Sequence, residues 1–234
     1  YMHEYKVPHP VFGAFSINAH QNAVNNPNAM FRKAISQAIY DRAPMIADPI
    51  NLYDSSPICD GAAAIIIAPL EMARRLNKPV IRVRASASAT DTLALADRTQ
   101  PLALEAAASS ARKAYAQAGV QPADMDVFEV HDAFSIMSAL SLEAAGFAAP
   151  GTAPYRAQDG EYRLDGKLPI STMGGLKGRG HPVGATGVYE LVDLITQLRG
   201  EAGLNQVQGA ALGMTQNIGG TGATVVTHIL ERTA

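Results

Sequence analysis

Fourteen residues from Gly174 to Gly187 contain six glycines and one histidine, His181, with Pro182 directly after it. Glycine is used where the backbone must take positive φ or lie against a ligand or another segment. Imidazole titrates near neutral pH, so a histidine fixed in such a loop can move a proton where a ligand sits. A second histidine opens His131-Asp132-Ala133-Phe134, and a second glycine-rich stretch runs Asn217-Ile218-Gly219-Gly220-Thr221-Gly222. Two imidazoles plus fixed backbone N–H donors suit acyl chemistry: one group as base, the donors for an oxyanion. Singly, each piece is weak. A histidine after a strand is more often a hydrogen-bonded structural residue, and Ile-Gly-Gly-Thr-Gly suits a tight turn as well as a phosphate cradle. It is no dinucleotide fingerprint, because a strand and not a helix is expected after it. His131 and His181 have no cysteine partner and no His-x-x-x-His spacing occurs, so no metal site is read.

The elements that must position these groups follow from pattern. Residues 1–50 lack a strand pattern; His9-Pro10 and Asn25-Asn26-Pro27 punctuate short helices over 12–24 and 30–39. The apolar run 62–68 reads as a strand buried on both faces, and 70–76 as a short helix. From Val80 the pattern alternates: strand 80–87, helix 102–118 closed by Gly119, strand 127–130, helix 134–145 closed by Gly146. Residues 148–170 form a polar excursion with a small hairpin around Asp165-Gly166. Val188, Leu191, Val192, Ile195 and Leu198 form one helix face ahead of Gly200. Strands over 208–214 and 223–230 close the chain, with 217–222 as their loop. This alternation argues an α/β fold with a mostly parallel sheet, whose strand ends collect ligands.

Composition bounds the function. A chain of 234 residues, 47% hydrophobic and 17% charged, can bury a sizeable core. A net charge of -2 gives no basic field for nucleic acid or an anionic membrane. The single cysteine, Cys59, forms no internal disulfide, fits a reducing compartment, and reads as a small core residue. No signal peptide, bilayer-spanning run or peroxisomal address is evident, so a cytoplasmic protein is expected. The start at Tyr1-Met2-His3-Glu4-Tyr5 reads as the interior of a longer protein.

Residues 180–187, Gly-His-Pro-Val-Gly-Ala-Thr-Gly, resemble the Gly-His-Pro-x-Gly-Ala-Thr-Gly signature of thiolases. His131-Asp132-Ala133-Phe134 resembles the His-Asp-Cys-Phe variant of the sterol-carrier-protein-type and archaeal-type branch. Asn217-Ile218-Gly219-Gly220 stands where many thiolases have Cys-Ile-Gly-Gly, and Ser55 to Ala64 resembles the Asp-Gly-Ala-Ala-Ala segment that closes the first half of that fold. The resemblance covers nearly the whole chain. It implies an α/β/α/β/α layered fold of two βαβαβαββ halves, each with a five-stranded mixed sheet, of which only the second is complete here. Residues 1–50 would be a remnant of the loop domain covering coenzyme A, 51–78 the last strand and helix of the first half, and 79–234 the C-terminal half. Large apolar exposure is expected of such a chain considered alone.

By the same resemblance His181 would activate a cysteine nucleophile, and His131 would hold a water or the thioester oxygen in an oxyanion hole. The Gly219-Gly220 backbone would form part of the other oxyanion hole, beside Asn217 at the position of a second cysteine. Ser56, Gly180 and Phe134 would meet coenzyme A, which comes as acyl-coenzyme A substrate and not as a resident cofactor. The nucleophilic cysteine of thiolases lies upstream of anything in this sequence, so a missing N-terminal half or a partner chain would supply it. The family also takes a proton from the acyl α-carbon with a cysteine at one of two positions, here Ala133 and Asn217, and neither side chain can be a thiolate. The first reading is therefore an acyltransferase of lipid metabolism performing Claisen condensation or thiolysis of a 3-oxoacyl-coenzyme A. The alternatives are a retro-aldolase on a 3-hydroxyacyl-coenzyme A and a non-catalytic acyl-coenzyme A-binding subunit. A homodimer or tetramer is implied, and some relatives work with a small OB-fold partner of zinc-ribbon type.

Overall fold

The computed structural model describes residues 1–76 and 78–233. Asn77 and Ala234, which fall within the expected 51–78 and 79–234 units, lie outside the described residues. In chain order the elements are helices α1 (Met2–Tyr5), α2 (Gly13–Ala23) and α3 (Gln37–Asp41), a hairpin of β1 (Met45–Ala47) and β2 (Ile50–Asn51), and α4 (Leu70–Ala73). They continue with β3 (Val80–Thr90), α5 (Glu105–Ala118), β4 (Val127–Val130), α6 (Ser135–Ala144), α7 (Ala153–Gln158), α8 (Thr186–Arg199), β5 (Leu212–Gly219) and β6 (Thr224–Thr233). Between α7 and α8 the glycine loop makes a π turn over Gly175–Arg179.

One four-stranded sheet, in the order β3-β6-β5-β4, organises the molecule. Side chains alternate across it. Met214 of β5, Ile229 of β6, and Phe128 and Val130 of β4 face a core with Ala111, Ala114 and Tyr115 of α5 and Ala139 and Leu142 of α6. The alanine stripe of α5 lets that helix lie close on the sheet, and Gly119 ends it at φ 67. Val127 and Leu230 face the other way, against Leu194 and Leu198 of α8. Gly213 lies on the same face, where a β-carbon would meet Leu194 Cδ1 at 2.3 Å. Two positions further along β5 in each step are Thr215 and Asn217, so Asn217 also points to the α8 side.

Several sequence expectations are corrected. The sheet is mostly antiparallel: β6 runs antiparallel to both β3 and β5, and only β4–β5 is parallel. The cause is the tight β5–β6 turn, which sends the last strand back beside the one before it. A parallel bridge from Phe128 to Ile170 marks a fifth strand position beside β4, so the sheet is mixed. The last two strands extend further than their apolar runs, to Gly219 and Thr233, because polar residues such as Thr215 and Gln216 are also paired and buried. Asn217 therefore lies inside β5 and not in a loop. Residues 1–50 do contain strand, the β1–β2 hairpin, and the helix expected over 30–39 reduces to α3, whose Ser36 cap accepts from Ile39 N–H. The excursion at 148–170 holds α7 as well as hairpin-like pairing, with Leu168 N–H on Glu161 O and Ile170 N–H on Tyr162 O.

The run 62–68 forms no strand, and Ile66 and Ile67 are 97% and 79% exposed. An apolar run becomes a buried strand only where neighbouring strands exist to pair with it, and none of the described strands reaches it. Together with Ile58 it supplies the exposed apolar surface that was expected. Cys59 is half-buried and not in the core. On α8 the anticipated apolar face is mostly half-buried, whereas Thr186, Glu190, Asp193 and Gln197 are buried at spacings of four, three and four. No helix among the described residues is long and apolar enough to cross a membrane.

Candidate active site

His181 stands just ahead of α8. Its Nδ1 lies 2.7 Å from Thr186 Oγ1, whose hydroxyl hydrogen goes to the carbonyl of Pro182 at 3.1 Å. A hydroxyl has one hydrogen, so Thr186 can only accept from His181. That places the imidazole proton on Nδ1 and leaves Nε2 with a free lone pair. Burial, helped by His131 and then Arg179, lowers the His181 pKa to about 4. At neutral pH it is an uncharged base with a fixed tautomer.

His131 follows β4, and its ring meets that of His181 edge to face at 5.3 Å between centroids. Its Nδ1 is 3.2 Å from Glu190 Oε1 and 3.1 Å from Asn217 Nδ2, and Asn217 Nδ2 also donates to Glu190 Oε1 at 3.3 Å. Glu190 comes from the buried polar stripe of α8 and Asn217 from the α8-facing side of β5. The two elements close tightly here: a β-carbon at Gly187 would stand 3.0 Å from Asn217 Cγ. Burial raises the Glu190 pKa, while His131, Arg179 and Asn217 hold it back.

The segment Ser55–Cys59 binds the two histidine loops together through backbone alone. Ser56 N–H donates to Ala133 O at 2.8 Å, His181 N–H donates to Pro57 O at 3.0 Å, and Cys59 N–H donates to His181 O at 3.4 Å. Ser55 bridges Phe134, and Ile58 bridges His181. Gly180, at φ 113, lets this strap close, since a β-carbon there would sit 2.7 Å from Cys59 Sγ.

Beneath the loops lies a buried charged layer. Arg179 pairs with Asp193 and stacks on the Tyr189 ring at 4.7 Å. Lys177 Nζ donates to the carbonyls of Tyr53 and Asp54, and burial lowers its pKa to about 8. Asp132 Oδ1 accepts Leu176 N–H at 2.6 Å, and burial raises its pKa. Glu129 is pushed up to about 8 by burial and then by Asp193, so it holds a proton at neutral pH, and burial lifts Asp193 to about 6. Glu129 accepts Thr172 N–H at 3.1 Å. Asp54 anchors the other flank, taking hydrogen bonds from His9 and Tyr40 at 2.7 and 2.6 Å.

Of the residues singled out in the sequence, the structure gathers His181, His131 and Asn217 and sets Ser56, Phe134 and Gly180 around them. Phe134 is 42% exposed beside the strap. Gly219 and Gly220 lie two and three residues past Asn217 at the exposed end of the hairpin, where Gly219 pairs with Thr224. Sequence reasoning missed Thr186, Glu190, Lys177 and Arg179. The signal for the first two was present: Thr186, Glu190, Asp193 and Gln197 make a stripe along one side of α8.

The chain is similar to several known proteins. Residues 87–232 match the family described as Thiolase C-terminal domain-like. The chain is 44% identical over 232 residues to an acetyl-CoA acetyltransferase of Methanothermobacter thermautotrophicus, covering 99% of this chain and 61% of that protein. It is 34% identical over 227 residues to sterol carrier protein 2 of Oryctolagus cuniculus, covering 95% of this chain and 41% of that protein. The chain thus spans less than two thirds of the length of each. The solved Ltp2-ChsH2(DUF35) aldolase is similar in fold, with a TM-score of 0.89 at 24% identity over 99% of this chain and 60% of that one.

Proposed function

This chain belongs to the thiolase family, and from that premise we propose that it carries the histidine side of an acyl-coenzyme A site. The observation that supports this most directly is the pair of adjoining imidazoles, one with Nε2 left free as a base by the Thr186 contact. In this reading His181 takes the proton of a cysteine thiol supplied from outside these residues. The thiolate attacks the thioester carbonyl, and coenzyme A leaves as its thiol after taking that proton back. The N–H groups of Gly219 and Gly220, and a water held by His131, stabilise oxyanions. Ser56, Phe134 and Gly180 line the way in for the pantetheine arm. Residues 1–50 serve as the cover over coenzyme A, 51–78 as the end of a first half, and 79–234 as the second half. A second copy of the chain, or a small OB-fold partner of zinc-ribbon type, completes the assembly.

The assay is acetoacetyl-coenzyme A with free coenzyme A in the intact assembly. Acetyl-coenzyme A should form, and His181→Ala should abolish it; unchanged turnover in that variant rules out the catalytic role and favours a non-catalytic acyl-coenzyme A-binding subunit. A second reading, retro-aldol cleavage of a 3-hydroxyacyl-coenzyme A, is favoured by Ala133 and Asn217, which leave no thiol at either of those two positions. Carbon–carbon cleavage of such a thioester without thiolysis would select it.

A further inference from the structure

Glu190 is a carboxylate buried to 1% exposure, and nothing in the reading above uses it. One of its oxygens, Oε1, meets both His131 Nδ1 and Asn217 Nδ2; the other, Oε2, has no hydrogen-bond partner among the described residues. A group serving only to fill space would not need a carboxyl there, because an unpaired buried carboxyl oxygen is costly. We propose that Glu190 is the positioning residue that makes His131 the acceptor of the acyl α-proton, in place of the thiolate that positions 133 and 217 lack. This deepens the proposed function and rests on an acyl-coenzyme A being the substrate.

The hydrogen-bond geometry carries the argument. Asn217 Nδ2 has only hydrogens to offer, while a carboxylate has only lone pairs. If His131 Nδ1 were bare, its lone pair would face the Glu190 oxygen at 3.2 Å and repel it. With a proton on Nδ1 the contact becomes attractive, and Asn217 Nδ2, which also stands 3.1 Å from Nδ1, turns its hydrogen to the same carboxylate oxygen at 3.3 Å, so both donors converge on Glu190. The proton on Nδ1 leaves Nε2 bare, and among the described residues nothing hydrogen-bonds to it. The His181 ring adjoins edge to face at 5.3 Å, so an acyl group held at one imidazole lies within reach of the other. In the step, the α C–H bond breaks, its proton goes to His131 Nε2, and the electron pair moves to the thioester oxygen to give an enolate. The imidazolium so formed faces the Glu190 carboxylate. Return of the proton restores both partners, so no further reactant is needed.

The test uses two readouts in the intact protein. ¹⁵N chemical shifts of the histidine rings should show His131 protonated at Nδ1 in the unmodified protein. Glu190→Met, which removes the acceptor and leaves Asn217 free to donate to Nδ1, should reverse that tautomer. Glu190→Gln, which keeps an oxygen in place, should preserve it. With acetyl-coenzyme A in D₂O, deuterium should enter the methyl group. That exchange should fall about 100-fold in Glu190→Met and His131→Ala and about tenfold in Glu190→Gln. An Nε2-protonated His131 in the unmodified protein overturns the proposal without any variant, as does exchange that is absent or indifferent to Glu190. Exchange that depends on Glu190 while acyl transfer is absent sustains the proposal and sinks the acyltransferase reading alone.

Discussion

Thr186 gives its one hydroxyl hydrogen to the carbonyl of Pro182 and so receives the Nδ1 proton of His181. The threonine of the loop signature thereby decides which imidazole nitrogen is the base. Thr186→Val keeps the shape and removes the acceptor. Turnover should fall on the order of tenfold or more, with Thr186→Ser close to the original enzyme and the melting temperature little changed in either. Equal turnover in Val and Ser variants would remove Thr186 from the mechanism.

A base must be unprotonated to act, and burial holds His181 at about 4. The acid limb of the turnover profile assigned to this group should therefore lie near pH 4–5 and not near the usual histidine value. The same shift sets a stability trend. The unfolded chain binds the His181 proton between its ordinary value and about 4 while the folded chain does not, so this group's contribution is lost as pH falls through that window. Denaturant titrations of the original chain and His181→Gln should differ in slope there.

Glu129 acts in the opposite sense. Its folded pKa is raised to about 8, so the folded state holds a proton that the unfolded state has released above the usual glutamate range. Stability from this group is full at low pH and declines as pH rises toward 8. Glu129→Gln should flatten that decline and leave the variant the more stable form above pH 8. A parallel pair of stability curves would contradict it.

Gly180 combines φ 113 with the close approach of Cys59 Sγ. Gly180→Ala should cost about 1–3 kcal/mol through backbone strain and crowding. Adding Cys59→Ala should recover the crowding part only, so the double variant stays below the original chain in a denaturant melt.

The sequence exposed the histidine loops and most of the helices that hold them, because glycine punctuation and helical periodicity are local properties. The fate of 62–68 was not local: whether its isoleucines become a strand depends on strands elsewhere. Asn217 reads as loop in the sequence because polar residues weaken an alternating pattern, yet it is paired within β5. By sequence alone nothing but its place on a polar stripe sets Glu190 apart on its helix. Its role arises only when α8, β4 and β5 meet, which no single stretch of chain encodes.

The Ser55–Cys59 strap makes the site a joint property of segments far apart in the chain. Its hydrogen bonds join residues 56 to 133 and 57 to 181. A local opening that released this one short segment would loosen both histidine loops together, so the reactive pair is either held whole or lost whole.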